Sequence, residues 1–380
     1  MLQDQTSSGP QAWLASDVQA DDSWIQRLSA DEIAGFDTAL AHAKRVGKPF
    51  LSMTQADFPL NPPAQAALAR AIATTQSRWG MCLLRGFPVD RWTEDECRML
   101  VWGMSLYMGV ARTQNRASQI MNDVRDEGGD YKVKGGRGYN TNAGLDFHQD
   151  SCDVVALLCR RTARTGGTSK VVNSIAVRDE IARTRPDLIP VLQGPWYHSY
   201  QGAQDPNQPP YYVCPILGSD PEHFAMRTNR KNTDAAQRDF EDVPRLTAAQ
   251  LEALDLLDTL LPDPRFCYTM MLERGDLQLL NNYVNLHSRT PFEDFEVADQ
   301  KRHLYRLWMA IPTSQPLPPE WETYFGDVRA GAVRGGVRGS AITAEFIAYE
   351  QRQAATMGMH LKPWAPAATS GKPEASTHAA

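Results

Sequence analysis

The sequence has no C-x-x-C pair, and its six cysteines (Cys82, Cys97, Cys152, Cys159, Cys214 and Cys267) lie scattered. That spacing fits buried thiols of a reducing compartment and argues against a disulfide framework or a zinc knuckle. No run of about 18 apolar residues occurs, so no membrane association through a spanning helix is expected. There is no Lys/Arg tract, and 39 basic against 45 acidic side chains leave a net charge of −6. A nucleic-acid surface must neutralise phosphates, so that class of partner is not expected either. Met1 to Gln5 carry neither a basic nor an apolar leader pattern, which makes a cytoplasmic location the expectation. No internal repeat is visible. The composition that remains is that of a globular chain of 380 residues, long enough to bury a large core.

Both ends read as tails. Residues 1–22 and 366–380 are poor in apolar side chains, which cannot offset the entropy of ordering, so both are expected to be flexible. Between them a single domain over 23–365 is expected, helical to about residue 110. Ser29-x-x-Glu32 and Thr93-x-x-Glu96 are capping boxes that open helices, and Pro62-Pro63 opens another. From Gly138 the texture becomes β-rich, in short runs such as Val154 to Cys159, Lys170 to Val172 and His303 to Ile311. Two helices interrupt, one after Ser174 and one after the Thr247-x-x-Gln250 box. Regular strand–helix alternation is missing, so a parallel α/β sheet is not expected. The pattern predicts a mainly β, α+β protein: a double-stranded β-helix, or jelly roll, over about 138–315 with flanking helices.

Three residues attract attention as metal ligands. His148-Gln149-Asp150 is an H-x-D, and on a strand both side chains would share a face. Alone it is a weak signal, since a chain with this many acids has about one such triplet by chance. His287 follows 137 residues after Asp150, next to the strand-like Leu277 to Asn282. Two histidines and a carboxylate form the facial triad suited to non-haem Fe(II), with positions left open for substrate and oxygen. Zinc is the alternative metal, with three ligands and one water. Arg302 and Arg306 follow, four residues apart. On a strand they share a face, about 13 Å apart, and inward guanidiniums suit the capture of carboxylates.

With those residues in view, the sequence resembles the TauD/TfdA family of Fe(II)- and 2-oxoglutarate-dependent dioxygenases. The resemblance spans about Gly80 to Pro318 in three blocks: Gly138 to Asp150, Thr165-Gly166-Gly167-Thr168-Ser169 with Val172-Asn173-Ser174, and Asn281 to Trp308. It implies the double-stranded β-helix, with His148, Asp150 and His287 binding Fe(II). It also implies Arg302 pairing with the C5 carboxylate of 2-oxoglutarate, helped by a hydroxyl of the Gly-Gly turn. Ser169 fits that position better than Thr168, one residue earlier. Arg306 would face the cosubstrate or an anionic group of the substrate. The implied reaction uses O2, decarboxylates 2-oxoglutarate to succinate and oxidises, in the simplest case hydroxylates, a small molecule. A carboxylate-bearing or amino acid-like compound, or a natural-product intermediate, is the expected substrate, and a homo-oligomer is compatible with the sequence. A zinc or other cupin-like metalloenzyme and a non-catalytic jelly-roll binding protein are the competing readings.

Other residues read more plainly. His198, His223 and His303 are expected to be structural, and Cys152 to be a buried thiol. Trp196, Tyr197, Tyr211 and Tyr212 are core or pocket aromatics, and Asn142, Asp146 and Arg227 are further candidates for contacting substrate. Residues 201–210 form a loop that can serve as a lid.

Overall fold

Two sheets face one another, and helices cover the outside of each. The computed structural model describes residues 9–131, 133, 135–205, 208–337 and 342–363. In spatial order the larger sheet contains Ile25–Arg27, Met81–Arg85, Leu277–Asn281, Val154–Arg161, His303–Ala310 and Val110–Arg112, with Met121–Val124 also paired to His303–Ala310. Only its first pair is parallel. The smaller sheet contains Cys267–Met270, Ser169–Asn173, Asn285–Arg289 and Leu145–His148, all antiparallel. This is the expected jelly-roll arrangement of an α+β protein.

Strand periodicity decides what each face meets. Along His303–Ala310, Tyr305, Leu307 and Met309 pack into a core with Leu84, Leu158 and Leu279. Phe36 and Leu40 from the helix Ala30–Val46, Leu68 from Pro62–Thr75, Leu100 from Glu94–Met108 and Tyr349 from Ala344–Met357 complete that layer. The alternate positions Leu304 and Trp308 point inward, joining Val155 and Leu280 of the same sheet and Val171 and Met270 of the other. Val172 and Leu286 face outward from the smaller sheet onto Val177, Leu254 and Leu257 of two further helices, Ser174–Thr184 and Ala248–Leu260.

The helix starts follow the sequence signals. Ser29, Thr93 and Thr247 each accept from the backbone N–H three residues on, while Glu32, Glu96 and Gln250 reach back to the cap. Two of the longer helices carry weak signals and escape the sequence reading. Arg230–Asp239 is almost wholly polar, and Ala344–Met357 follows the β-rich region where no further helix is anticipated.

The expectation of a flexible tail over residues 1–22 needs correction. Trp13 is 1% exposed and donates its indole N–H to the Trp79 carbonyl at 2.9 Å, and Ala15–Ala20 forms a helix. One tryptophan supplies apolar burial that an average over a polar segment conceals. Residues 1–8 and the expected tail at 366–380 lie outside the described residues. No helix among the described residues is long and apolar enough to cross a membrane.

Candidate active site

The mouth between the two sheets is where the charged motifs meet. The strand Leu145–His148 pairs with Asn285–Arg289 so that His148 lies opposite His287, their ring centroids 4.4 Å apart. Asp150 sits beyond the end of its strand, so the strand pleat is not what brings it to His148. An irregular turn does so, held by two amides. Asn282 Oδ1 accepts from the Asp150 N–H at 3.2 Å. Gln149 donates to the Met226 carbonyl at 2.6 Å and accepts from the Thr228 N–H at 2.9 Å. Asp150 Oδ2 is then 3.7 Å from His287 Nε2, and Oδ1 is 4.0 Å from His148 Nε2. One ligand atom from each of the three residues falls within 4.8 Å of the others.

The electrostatics suit a cation. Burial drives the His287 imidazole down to about 3, and the charges of His148 and Arg306 act in the same direction, so it is neutral at pH 7. Burial by itself would raise the Asp150 carboxyl; Arg306, then His287 and His148, outweigh it and hold the group below its ordinary value. His148 Nδ1 is hydrogen-bonded to the Asp146 carbonyl at 2.9 Å, which leaves Nε2 for the centre. Asp150 Oδ2 is buried with no hydrogen-bond partner among the described residues. An unpaired carboxylate oxygen between two imidazoles fits a divalent ion of borderline softness, and Fe(II) suits this set.

The cavity around this centre also receives Arg302, Ser169, Gly167 and Gln278. Arg302 is buried, and its Nη1 has no partner among the described residues. The Gly-Gly turn makes room for it. Gly166 and Gly167 have φ of 73° and 71°; a Cβ on Gly166 would stand 2.2 Å from the Pro291 carbonyl oxygen, and one on Gly167 3.2 Å from Arg302 Nε. Ser169 lines the cavity, its hydroxyl beside the Gln278 amide. Thr168 does not, which corrects its place among the candidates. Alternation along the chain turns its hydroxyl to Met271 Sδ, at 3.2 Å.

Arg306 lines the same cavity, so the two arginines do share a face. Arg289 was missed by the sequence reading. It follows His287 by two residues on one strand, a spacing that signals a common face. Its guanidinium lies 4.7 Å from the Phe292 ring centroid, with that of Arg302 at 5.0 Å, and its Nε and Nη1 are unpartnered.

The remaining candidates divide. Arg227 and Tyr212 line the cavity, joined by Arg137, Tyr131 and Lys231, which carry no motif. Asn142 and Asp146 do not line it, although the Asp146 carbonyl orients His148. Trp196 is core, and Tyr197 and Tyr211 pair with each other. His223 pairs with Asp220, and His303 with Asp123 at 2.7 Å on the far side of its strand. Burial raises the Cys152 thiol well above its usual range, leaving it an inert structural group. From the loop 201–210, Gln201 and Ala203 reach the cavity, and Gln201 Oε1 accepts from the Gly135 N–H at 3.2 Å; residues 206–207 lie outside the described set.

A model of the family described as "Taurine catabolism dioxygenase TauD, TfdA family" matches residues 42–308. The chain belongs to the TauD/TfdA family. It is accordingly a non-haem iron, 2-oxoglutarate-dependent oxygenase that uses O2. FR-33289 synthase of Streptomyces rubellomurinus (strain ATCC 31215) is 28% identical over 335 residues, covering 86% of this chain and 96% of its own. Two solved structures share the fold. Asparagine oxygenase with Fe(II), 3-hydroxyasparagine and succinate is 18% identical with a TM-score of 0.58, covering 76% of this chain and 94% of that one. The iron oxygenase OrfP with Fe and alpha-ketoglutaric acid is 16% identical with a TM-score of 0.56, covering 75% and 94%.

Proposed function

We propose that this TauD/TfdA enzyme hydroxylates a small, anionic or amino acid-like molecule, with His148, Asp150 and His287 as the iron ligands and Arg302 and Ser169 as the seat of 2-oxoglutarate. The observation that carries this reading is the presence of two unsatisfied atoms in one cavity: Asp150 Oδ2 beside two imidazoles, and Nη1 of the buried Arg302 guanidinium. Leaving these buried polar atoms without partners is costly, and a metal ion together with a dicarboxylate answers both. A likeness to enzymes holding hydroxyasparagine and oxoglutarate supports the same assignment.

Bound iron and oxoglutarate supply the oxidising chemistry, in which O2 is consumed, oxoglutarate becomes succinate and carbon dioxide, and one oxygen atom passes to the substrate. The chain's own groups bind and orient. Arg302, and Arg289 beside it, fix the distal carboxylate of the cosubstrate by charge-assisted hydrogen bonds. The neutral His287 and the ionised Asp150 need no proton removed before they coordinate. Leu304, Leu157, Val124 and Trp308 supply apolar lining that excludes water from the reacting groups.

The test is succinate formation from oxoglutarate with Fe(II), ascorbate and oxygen. Slow uncoupled turnover in the wild type, abolished by His148→Ala and strongly reduced by Arg302→Gln, is expected. Absence of turnover together with absence of anaerobic oxoglutarate binding would overturn the assignment.

A further inference from the structure

The cavity is cationic in a way that neither iron nor oxoglutarate explains. Among the described residues, six cationic side chains line the cavity against a single carboxylate, Asp150. Arg302 and Arg289 are taken up by the cosubstrate under the proposed function, and Arg306 faces Asp150 at 3.5 Å. Arg137, Arg227 and Lys231 are left over. Arg227 and Lys231 stand four residues apart on one stretch of chain and Arg137 comes from a distant loop, near enough to both Arg306 and Lys231 for their charges to oppose one another.

Arg227 is the telling member. It is 2% exposed, and its Nε and Nη1 are both buried and without a hydrogen-bond partner among the described residues. The guanidinium rests 3.9 Å from the Tyr324 ring centroid and 5.4 Å from that of Tyr212. The buried arginines that serve structure look different here. Arg334 donates to Asp153 Oδ1 and to the carbonyls of Arg329 and Gln315, and Arg112 to Glu350 and the Gly335 carbonyl. Aromatic faces stabilise a desolvated guanidinium in part, but leave its N–H groups unsatisfied. Among the described residues, Arg227 Nε and Nη1 therefore lack an acceptor.

Its placement ties it to the reaction centre. Gln149, the residue between His148 and Asp150, grips the backbone on both sides of Arg227, at the Met226 carbonyl and the Thr228 N–H. His148 also bridges to Asn229, two residues before Lys231. Lys231 gives one N–H to the Gly136 carbonyl at 2.6 Å and lies over the Tyr131 ring at 4.1 Å, with two ammonium protons to spare.

We propose that the primary substrate carries a phosphoryl-type dianion, a phosphate monoester or a phosphonate, seated on Arg227, Arg137 and Lys231, with its remaining carbon chain directed toward His148, Asp150 and His287. A carboxylate or sulfonate offers one charge. Three cations, two from one stretch and one from a distant loop, match a tetrahedral group with two charges and three acceptor oxygens. The inference rests on the oxygenase reading for the direction in which the carbon chain points.

Calorimetric titration of the Fe(II)- and oxoglutarate-loaded enzyme, without oxygen at pH 8, tests it with ethylphosphonate, ethyl phosphate, ethanesulfonate and propionate. Both dianions are expected to bind at least about tenfold more tightly than the two monoanions. Arg227→Gln and Lys231→Gln are each expected to lose about tenfold or more of that affinity while oxoglutarate affinity holds. The tighter of the two dianions identifies an ester or a direct carbon–phosphorus link. If Arg227→Gln loses its folded circular dichroism spectrum, Lys231→Gln and Arg137→Gln, at partly exposed positions, decide the matter by the same criterion. Equal binding of all four probes, or variants that bind dianions as the wild type does, would overturn the proposal while normal oxoglutarate binding left the oxygenase assignment standing. Failure of oxoglutarate itself to bind the wild type would remove that assignment, and this inference with it.

Discussion

The Gln114 amide holds Arg306 at two points: its Oε1 accepts from Arg306 Nε at 2.8 Å, and its Nε2 donates to the Arg306 backbone carbonyl at 2.9 Å. A single side chain thus fixes both the backbone and the guanidinium of a residue that faces Asp150 Oδ1. Nothing in the spacing of sequence motifs connects position 114 to position 306. The pairing exists because Val110–Arg112 and His303–Ala310 are neighbours in the larger sheet.

Gln114→Leu removes both contacts and leaves buried polar groups on Arg306 unsatisfied, a loss of roughly 1–3 kcal/mol per group. Arg306 would then swing away from Asp150 while Arg302 stays in place. The expected result is a fall in kcat of about tenfold with little change in the KM for oxoglutarate, read from succinate formation. A raised KM with unchanged kcat would place Gln114 in cosubstrate binding instead.

Arg302 and Arg289 flank Phe292, and each has unpartnered N–H groups. If both receive the oxoglutarate carboxylate, Arg302→Gln and Arg289→Gln should each weaken anaerobic oxoglutarate binding, Arg302 by about 30-fold or more and Arg289 by about tenfold. Arg302→Lys should not restore binding, because an ammonium cannot supply the paired N–H groups of a guanidinium. Normal oxoglutarate affinity in Arg289→Gln would make Arg289 a purely structural support of the Thr141 and Ala143 carbonyls, to which it donates.

Gly166 should tolerate no side chain. Its φ of 73°, and the Pro291 carbonyl oxygen 2.2 Å from where a Cβ would stand, both oppose Gly166→Ala. The expected cost is about 1–3 kcal/mol in urea unfolding, with a raised oxoglutarate KM as the turn shifts against Arg302. An alanine variant with unchanged stability would show that the turn relaxes freely.

Much of this site was legible because strand periodicity and three helix caps speak through local residue types. His148, Asp150 and His287 could be set side by side from motif order, and Arg302 and Arg306 from a spacing of four. The convergence of Asp150 was anticipated for the wrong local reason, since a turn pinned by Gln149 and Asn282 achieves it. Arg137 and Lys231 were not legible at all. One lies in a loop and the other in a helix whose ten residues carry no apolar stripe, so only tertiary packing brings them to the cavity. Trp13 shows the same limit in the opposite direction, one apolar side chain outweighing the polar segment around it.

His198 supplies a prediction independent of iron. It is fully buried, with Nε2 against the Cys214 carbonyl at 3.0 Å and Nδ1 against the Thr233 hydroxyl at 3.1 Å. Those partners satisfy a neutral imidazole that donates from Nε2 and accepts at Nδ1. Burial, with the nearby charge of Arg227 acting in the same direction, lowers it from 6.5 to about 3. The unfolded chain therefore binds a proton at this site between pH 6.5 and about 3 that the folded protein refuses, so stability falls as pH falls through that window. At pH 5 the loss from this one residue is about 2 kcal/mol relative to neutral pH. Urea unfolding of the metal-free protein at pH 7 and pH 5 measures it. His198→Gln keeps a donor for the Cys214 carbonyl but cannot titrate, so it should be less stable than the wild type at pH 7 and lose about 2 kcal/mol less on acidification. Parallel acid losses in the two proteins would mean that His198 takes up its proton in the folded state, and that the Thr233 hydroxyl turns to accept from it.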